Sequence, residues 1–299
     1  MSANLYNYQS ENIHRTWLLF IVFFLVVVGV GYVFSKAYGD PSFIIFALIF
    51  SIVYSLISYF ASAKIALSMA KAKQIKKSDN PQLWNIVENL SIGGGIPMPE
   101  IYITPELQIN AFATGRDLKH SYVAVTVGAL ERLNKAELEG VLAHELSHIK
   151  NRDALVSTVA AILAGLISLV ADIFLRSFMF KGFGSRDRRD ESQQMFFIFG
   201  IILSILAPIG TMLIQLAISR RRESLADASG VLLTRYPEGL IGALEKIAVD
   251  STSMKSAKDS TAHLWIADPF KNNASWWHTL FATHPPIRER IDALKALKL

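Results

Sequence analysis

The stretch VLAHELSHIKNRDAL, residues 141–155, contains two histidines four positions apart and a glutamate directly after the first. On an α-helix of about 3.6 residues per turn, residues four apart lie on one face, so His144 and His148 can direct both imidazoles at one metal ion. Glu145 lies roughly a quarter of a turn to the side, where its carboxylate can act as a general base. Chance gives this pattern in roughly one chain in a hundred or fewer at this histidine content. The spacing therefore predicts a catalytic metal site rather than two unrelated surface histidines.

A catalytic zinc ion usually has three protein ligands and one open position, so two histidines are too few. The chain contains no cysteine, which leaves imidazole and carboxylate as ligands and excludes disulfide bonds. A histidine six residues after His148 would be one solution, but Ala154 occupies that position. A third ligand must lie on the side of the membrane that carries His144, and two apolar runs after the motif return the chain to that side. The segment that follows them is SRRRESLADASG, residues 219–230, in which Glu223 and Asp227 are four residues apart. We expect Glu223 to complete the metal site and Asp227 to contact a ligand histidine, unless the segment is only a juxtamembrane basic cluster followed by surface acids.

The composition is typical of a membrane protein. Of the 299 residues, 52% are hydrophobic and only 18% are charged, the mean hydropathy is +0.33 and the net charge is +5. Four apolar runs account for this: Trp17–Phe34, Phe43–Ala63, Ala154–Leu175 and Met195–Ile218. The first two contain no charged residue and are long enough to cross a hydrocarbon core of about 30 Å. A cleaved signal peptide is the alternative for the first run, but its apolar core exceeds the usual length of about 7–15 residues.

Lysines indicate how the first two spans are oriented. Five of them follow the second run between residues 64 and 77, whereas the loop between the two runs contains Lys36 alone. By the positive-inside rule, both ends of this hairpin lie in the cytoplasm. Between the third and fourth runs, three acidic residues are interspersed with Lys181, Arg186, Arg188 and Arg189, and this loop would face outward if both runs crossed the bilayer. Whether residues 154–218 span fully is therefore left open.

The region between the second and third runs has the pattern of a small globular domain. Asn80 and Pro81 are typical of a helix start, and Gly93–Gly95 of a helix end. Asn134 and Glu137 match a capping box that begins the helix of the histidine motif. Three short strands are predicted between these helices: Glu100–Ile103, Gln108–Thr114 and Tyr122–Val127.

The stretch NAFATG, residues 110–115, lies in the second of these strands. A strand at the edge of a sheet can hold an extended peptide through main-chain hydrogen bonds. We therefore predict a substrate-binding role for Asn110, Ala111, Phe112 and Ala113. On pattern alone, an ordinary core strand fits these residues equally well.

Four motifs occur in order along the chain: NAFATG, H-E-x-x-H continued as IKNRD, RESLAD at residues 222–227, and FATHPPIRERI at residues 281–291. With these motifs the chain resembles the HtpX family of membrane-integrated zinc endopeptidases, which is related to the CaaX prenyl endopeptidases. The resemblance covers nearly the whole chain and includes the layout of two plus two hydrophobic runs. It implies a protease that takes part in membrane-protein quality control under stress.

The resemblance also implies roles for individual residues. His144, His148 and Glu223 would bind one Zn2+ ion, Glu145 would be the catalytic base and Asp227 would orient a histidine. His284 and Arg290 resemble a pair that stabilises the oxyanion of the reaction. Alternatively, the two prolines after His284 begin the last helix and His284 only caps it.

These observations predict an α+β membrane protein that is predominantly α-helical, with about four hydrophobic helices and a zincin-like catalytic domain containing a small β-sheet. Residues 1–63 would form an N-terminal membrane hairpin and residues 154–218 a second hydrophobic pair. The catalytic domain would be divided between residues 64–153 and 219–299. The expected location is the bacterial cytoplasmic (inner) membrane, with several spans and the active site facing the cytoplasm. Polypeptides, membrane proteins among them, and the lipid bilayer are the expected partners; no nucleic-acid partner is expected, and the oligomeric state is left open.

Two other functions fit parts of the pattern. An intramembrane protease also uses H-E-x-x-H, but inside an apolar span, whereas charged residues such as Glu139 and Lys150 flank the motif here. A transporter or scaffold with a structural zinc ion would use four protein ligands, while a catalytic site uses three. The segment Asp250–Asn273, rich in Ser, Lys and Asp, is interpreted as either a mobile lid or a surface loop.

Overall fold

Two long helices begin the computed structural model, which describes residues 5–181, 220–257, 259–270 and 285–297. Helix α1 is Leu5–Tyr38 and α2 is Ser42–Met69, and stretches of 27 and 28 residues within them are apolar and long enough to cross a membrane. Large apolar side chains stay exposed along both helices; Leu25, for example, is 63% exposed and Phe46 is 69% exposed. Side chains of this kind are compatible with lipid rather than water. The prediction that the first two apolar runs are helices long enough to span a bilayer is confirmed.

A four-stranded mixed sheet follows the hairpin. Its strands are β1 (Lys73–Gln74), β2 (Glu100–Thr104), β3 (Ala111–Gly115) and β4 (Ser121–Thr126), in the order β1-β2-β4-β3. Strands β2 and β4 are parallel, and β3 pairs with β4 in antiparallel register, with Ala111 opposite Val125. The three predicted strands are present, with ends shifted by up to three residues. Strand β1 was not predicted, because two residues are too short to show an alternating pattern.

Three helices pack around this sheet: α3 (Pro81–Gly94), α4 (Val127–Arg132) and α5 (Lys135–Lys150). Their ends confirm the capping patterns of the sequence. The Asn80 side chain accepts a hydrogen bond from the Leu83 backbone at 3.0 Å, and Gly95 ends α3 in a left-handed conformation with φ +64°. At the start of α5, Asn134 and Glu137 form the reciprocal capping box, with hydrogen bonds of 2.9 and 2.7 Å.

The remaining described helices are α6 (Asp153–Lys181), α7 (Arg220–Thr234), α8 (Pro237–Val249), a short 3-10 helix (Asp259–Leu264) and α9 (Ile287–Lys295). The third apolar run lies within α6, and the fourth, Met195–Ile218, lies outside the described residues. The described part of the chain is thus mostly helical with a small mixed sheet, which agrees with the coarse prediction of fold class. It does not test the number of four hydrophobic helices.

Helix α5 lies in the centre of the globular part, and two glycines let neighbouring helices approach it closely. A Cβ atom on Gly230 of α7 would lie 2.9 Å from the backbone nitrogen of His144. A Cβ atom on Gly140 of α5 would lie 2.6 Å from the backbone nitrogen of Leu240 in α8. Real Cβ atoms do not tolerate such contacts with backbone, so only glycine permits this spacing. The close approach of α7 brings Glu223 towards the histidines of α5.

Candidate active site

His144 and His148 point towards each other from one face of α5. Their Nε2 atoms are 3.1 Å apart. The His144 side chain is fully buried, whereas the His148 side chain is 14% exposed. The predicted spacing of i and i+4 therefore places both imidazoles around one point, as a shared ion requires.

Glu223 of α7 faces the same point. Its Oε2 atom lies 3.8 Å from Nε2 of His144, and its Oε1 atom lies 3.5 Å from Nε2 of His148. One donor atom from each of the three residues lies within 4.8 Å of the others. Tetrahedral zinc with bonds of about 2.0–2.2 Å separates its ligand atoms by about 3.3–3.6 Å. The three observed distances lie close to that range, so these residues fit a zinc ion.

The other ring nitrogen of each histidine has its own carboxylate partner. Asp227 Oδ1 lies 2.9 Å from Nδ1 of His144, and Asp153 Oδ2 lies 3.2 Å from Nδ1 of His148. A carboxylate at Nδ1 holds the proton on that nitrogen and leaves Nε2 free as a metal ligand. Both rings are thus oriented for metal binding.

Arg290 of α9 also contacts this site, although it lies 146 residues after His144 in the sequence. Its Nε and Nη2 atoms donate to the two Asp227 oxygens at 2.9 and 2.7 Å, and Nη2 lies 3.5 Å from Nδ1 of His144. The guanidinium therefore binds the carboxylate that orients His144. The predicted oxyanion role of Arg290 stays a prediction, and His284, its predicted partner, lies outside the described residues.

The globular part matches a known family over most of its length. The model of peptidase family M48 aligns with residues 77–298, which include all of the metal-binding candidates. The chain belongs to peptidase family M48. The prediction of a metalloprotease is thereby confirmed, and the relatives described next confirm the resemblance to HtpX.

Relatives of this M48 peptidase extend over the whole chain. The protease HtpX homologue of Caldanaerobacter subterraneus subsp. tengcongensis is 46% identical, with 99% of this chain and 98% of the relative covered. The HtpX homologue of Tropheryma whipplei is 43% identical, with 98% of each chain covered. The crystal structure of S. mikatae Ste24p has a similar fold, with a TM-score of 0.50 and 19% identity. That comparison covers 90% of this chain and 62% of Ste24p. The two apolar helices and the HtpX relatives identify a membrane protein, whereas the comparison with Ste24p shows a likeness of fold alone.

Burial and neighbouring charges give the two histidines of the M48 site opposite properties. Burial lowers the pKa of His144 to about 4, although Asp227 opposes this shift, so the ring is neutral near pH 7. Burial also acts to lower the pKa of His148, but the carboxylates of Glu223, Asp153 and Glu145 outweigh it and raise the pKa to about 9. For Asp227, burial is outweighed by Arg290 and His144, which lower its pKa to about 2.

Glu145 lies next to the histidines, as predicted for the catalytic base. Its side chain is buried, and burial raises its pKa to about 8 despite the positive charges of His148 and Arg290. The carboxylate also accepts a hydrogen bond from the backbone of Ala113 in β3. A base with a raised pKa beside an edge strand is suited to take a proton from water and return it to a leaving group.

Strand β3 lies at the edge of the sheet, as expected for NAFATG, but part of that edge is already covered. The backbone N–H of Ile266 donates to the Ala111 carbonyl at 3.0 Å. The Asn110 side chain bonds both the N–H and the carbonyl of Ala267, at 3.2 and 3.0 Å. Phe112 packs edge-on against Trp265, with ring centroids 4.6 Å apart. Among the four predicted substrate-binding residues, Ala113 contacts Glu145 through its backbone.

The described parts of the segment 250–273 are held by buried polar side chains rather than lying loosely on the surface. Gln108 donates to the carbonyls of Thr252 and Asp268 at 2.9 and 3.0 Å. The Glu106 carboxylate accepts the backbone N–H groups of Lys255 and Ser256 at 3.0 and 2.9 Å. Residues 106–110 therefore hold this segment against the sheet, which favours neither a loose lid nor an unattached loop.

Three residues around His148 were missed as part of the site: Asp153, Arg222 and Asn12. Asp153 follows His148 too closely to be an easy third ligand, and its contact with Nδ1 depends on the break between α5 and α6. Arg222 belongs to a basic cluster whose pattern indicates a membrane surface. Asn12 lies in the N-terminal helix, far from the motif in the chain, and no sequence pattern marks it. Only their folded positions relate these side chains to the M48 site.

Proposed function

We propose that this chain is a zinc endopeptidase that cleaves polypeptides, membrane proteins among them, at the cytoplasmic face of a bacterial inner membrane as part of quality control under stress. The observation that carries the proposal is the cluster of His144, His148 and Glu223, with three donor atoms within 4.8 Å of one another and Glu145 beside it. Three protein ligands leave a fourth position open, which is the arrangement of a catalytic rather than a structural zinc site.

The proposed mechanism assigns one task to each residue. A zinc ion held by the two histidines and Glu223 would supply a Lewis acid that activates water and polarises the scissile carbonyl. Glu145 takes the proton of the attacking water and passes it to the leaving amine. Asp227 and Arg290 keep the His144 ring in the orientation that exposes Nε2.

Substrate binding is proposed for the part of the β3 edge that Ile266 and Ala267 leave uncovered, where the backbone of Ala113 bonds Glu145. In the register with β4, the backbone groups of Ala113 and Gly115 point in the same direction as the Ala111 carbonyl, which faces away from the sheet. An extended peptide that pairs with this edge passes beside Glu145. The proposed binding site on β3 therefore centres on Ala113, and Asn110 and Ala111 lie where Ile266 and Ala267 cover the strand.

Replacement of Glu145 by glutamine tests this function directly. Glu145→Gln should keep zinc and the fold, because glutamine has nearly the same shape and is neutral like a protonated carboxyl. It should lose at least about 1,000-fold in peptide cleavage, since the proton acceptor is gone. His144→Ala and Glu223→Ala should instead lose the metal. The measurements are zinc content and cleavage of a casein-type substrate by the full chain in detergent, with Glu139→Gln on the same helix as control.

Near-normal cleavage by Glu145→Gln would remove Glu145 as the base, and four protein ligands in an X-ray absorption spectrum would favour a structural zinc ion. The proposed topology has a separate test, because the chain has no cysteine of its own. A single cysteine introduced at Lys77 should react with a membrane-impermeant thiol reagent only after the cytoplasmic side is opened.

A further inference from the structure

His148 and its carboxylate partner Asp153 lie at the junction between the catalytic part and the membrane helices. Asp153 is the first residue of α6 and is 3% exposed. Its Oδ2 atom contacts Nδ1 of His148 at 3.2 Å, so it stands to His148 as Asp227 stands to His144. A ligand histidine with such a partner keeps the tautomer that leaves Nε2 for the metal.

The other oxygen of Asp153 is held by Asn12 of α1. The Asn12 amide donates to Asp153 Oδ1 at 2.6 Å and to the Asn151 carbonyl at 2.9 Å. Asn12 is 3% exposed and precedes the apolar run that begins at Trp17 by five residues, or about 7.5 Å of helix. The first membrane helix therefore continues past its apolar part and inserts a polar side chain behind the metal site.

Arg222 closes this cluster from a third direction. Its Nη1 atom donates to Asn12 Oδ1 at 3.1 Å, and its Nε atom lies 3.5 Å from Asp153 Oδ1. Arg222 is 6% exposed and directly precedes Glu223 in α7. A buried carboxylate is costly without a countercharge, and Arg222 supplies one. Asn12 thus uses both amide hydrogens and its oxygen on α1's neighbours.

Simple packing explains only part of this cluster. An acidic residue in the first turn of α6 is favourable by itself, because it faces the positive end of the helix dipole. That preference does not require Asp153 to contact His148. Nor does it require a polar residue of α1 to donate a hydrogen bond to the second oxygen of Asp153. The contacts form a continuous path from α1 to a ring of the metal site.

We propose that Asn12 and Arg222 are positioning residues that act through Asp153 on His148, so that the first membrane helix forms part of the scaffold that holds the metal. The proposal rests on the proposed function, since the role of His148 as a ligand belongs to it. Asn12 touches neither the metal position nor a substrate. Asn12 acts by orienting the Asp153 carboxylate. The position of α1 in the protein therefore helps determine how tightly zinc is bound.

The test is a double-mutant cycle on zinc affinity, measured with the full chain in detergent by competition with a chromophoric chelator. Asp153→Asn keeps the shape and removes the charge, so zinc should bind about 10–100-fold more weakly. Asn12→Leu should also weaken zinc binding, by a smaller factor, because Arg222 still holds Asp153. The double variant should bind zinc no more weakly than Asp153→Asn alone, since both changes act on one path.

Kinetics and a neighbouring residue separate positioning from folding. At limiting zinc both single variants should lose kcat with little change in KM, and excess zinc should restore kcat. Ser10→Ala, an exposed neighbour on α1, should match the wild type in every measurement. If Asn12→Leu does not accumulate as folded protein, Asn12→Ala replaces it in the cycle.

Two results would overturn the proposal: Asn12 variants that unfold at lower temperature yet bind zinc like the wild type, or losses that multiply in the double variant. The first result would make Asn12 a packing residue only, and the second would show that Asn12 does not act through Asp153. A wild-type chain that binds no zinc would instead contradict the proposed function, so the two failures are distinguishable.

Discussion

The two histidines of the site have the same chemistry but are held by different residues. We call the carboxylate at Nδ1 of each histidine, together with the residues that bind that carboxylate, the support of that histidine. His144 is fully buried, and the residues behind it, Asp227 and Arg290, come from α7 and α9 late in the chain. His148 is partly exposed, and the residues behind it come from α6, α7 and the long apolar helix α1. One ligand is thus held from within the globular part and the other from its junction with the long apolar helices α1 and α6.

The charges of the two supports also differ. Behind His144, the Asp227 carboxylate is matched by two hydrogen bonds from one guanidinium, at 2.9 and 2.7 Å. Behind His148, the Asp153 carboxylate is shared between an amide at 2.6 Å and a guanidinium at 3.5 Å. The first arrangement is a rigid bidentate pair, while the second depends on how three helices meet. The His144 side should therefore contribute more to stability, and the His148 side should respond more to its surroundings.

Arg290→Met should have the largest effect of the changes considered, and should act on the His144 side. It leaves the Asp227 carboxylate buried without its countercharge, which costs about 3–5 kcal/mol. The thermal midpoint of the metal-free chain should fall by about 5–8 °C, as measured by scanning calorimetry in detergent. Arg288→Met, an exposed arginine on the same helix, is the matched control and should leave the midpoint within about 2 °C. An equal midpoint for Arg290→Met would mean that water or another cation compensates Asp227.

Much of this site could be predicted from the sequence because its ligands come from local helical spacing. The pairs His144/His148 and Glu223/Asp227 are each four residues apart, and a helix places such pairs on one face. The capping box at Asn134 predicted the start of α5, the helix that carries the two histidines. These features depend on short-range rules, which a single sequence shows.

The supports could not be predicted in the same way. Asn12 lies 141 residues from Asp153, and Arg222 lies 210 residues from Asn12. Such contacts depend on how the membrane helices pack against α6 and α7, and polar residues near a helix end have many possible partners. The cover on β3 by Ile266 and Ala267 was missed for the same reason, because the segment shows no strand pattern of its own.

The pH dependence of zinc binding should distinguish His148 from His144, and the expected effect is smaller than that of Arg290→Met. Since the pKa of His148 is raised to about 9, its ring carries a proton at pH 7 that zinc must displace. Apparent zinc affinity should rise by about tenfold per pH unit between pH 7 and 9 while one proton is released. The His144 pKa is lowered to about 4, so that ring is already neutral and adds nothing to the slope. Competition titrations in metal-buffered solutions measure this dependence.

Two matched variants identify the origin of the slope. Asp153→Asn removes a carboxylate that raises the pKa of His148, so the slope should flatten above pH 7. Asp227→Asn should weaken zinc binding and leave the slope as it is. In the metal-free chain, the raised pKa of His148 stabilises the fold below its unfolded value of about 6.5, and this contribution is lost as the pH rises through 9. Equal slopes in both variants would assign the displaced proton to another group.

Asn134→Ala should have the smallest effect, and it tests whether the separate supports or the shared helix hold the two rings. Loss of the cap on α5 should reduce the free energy of unfolding by about 1 kcal/mol. Zinc affinity should stay within about twofold, because each ring keeps its own carboxylate. Asn80→Ala is the matched control, since it removes the same kind of cap from α3, which carries no ligand. If Asn134→Ala weakens zinc binding while Asn80→Ala does not, the position of α5 itself orients both histidines, and the contrast between their supports matters less than the helix they share.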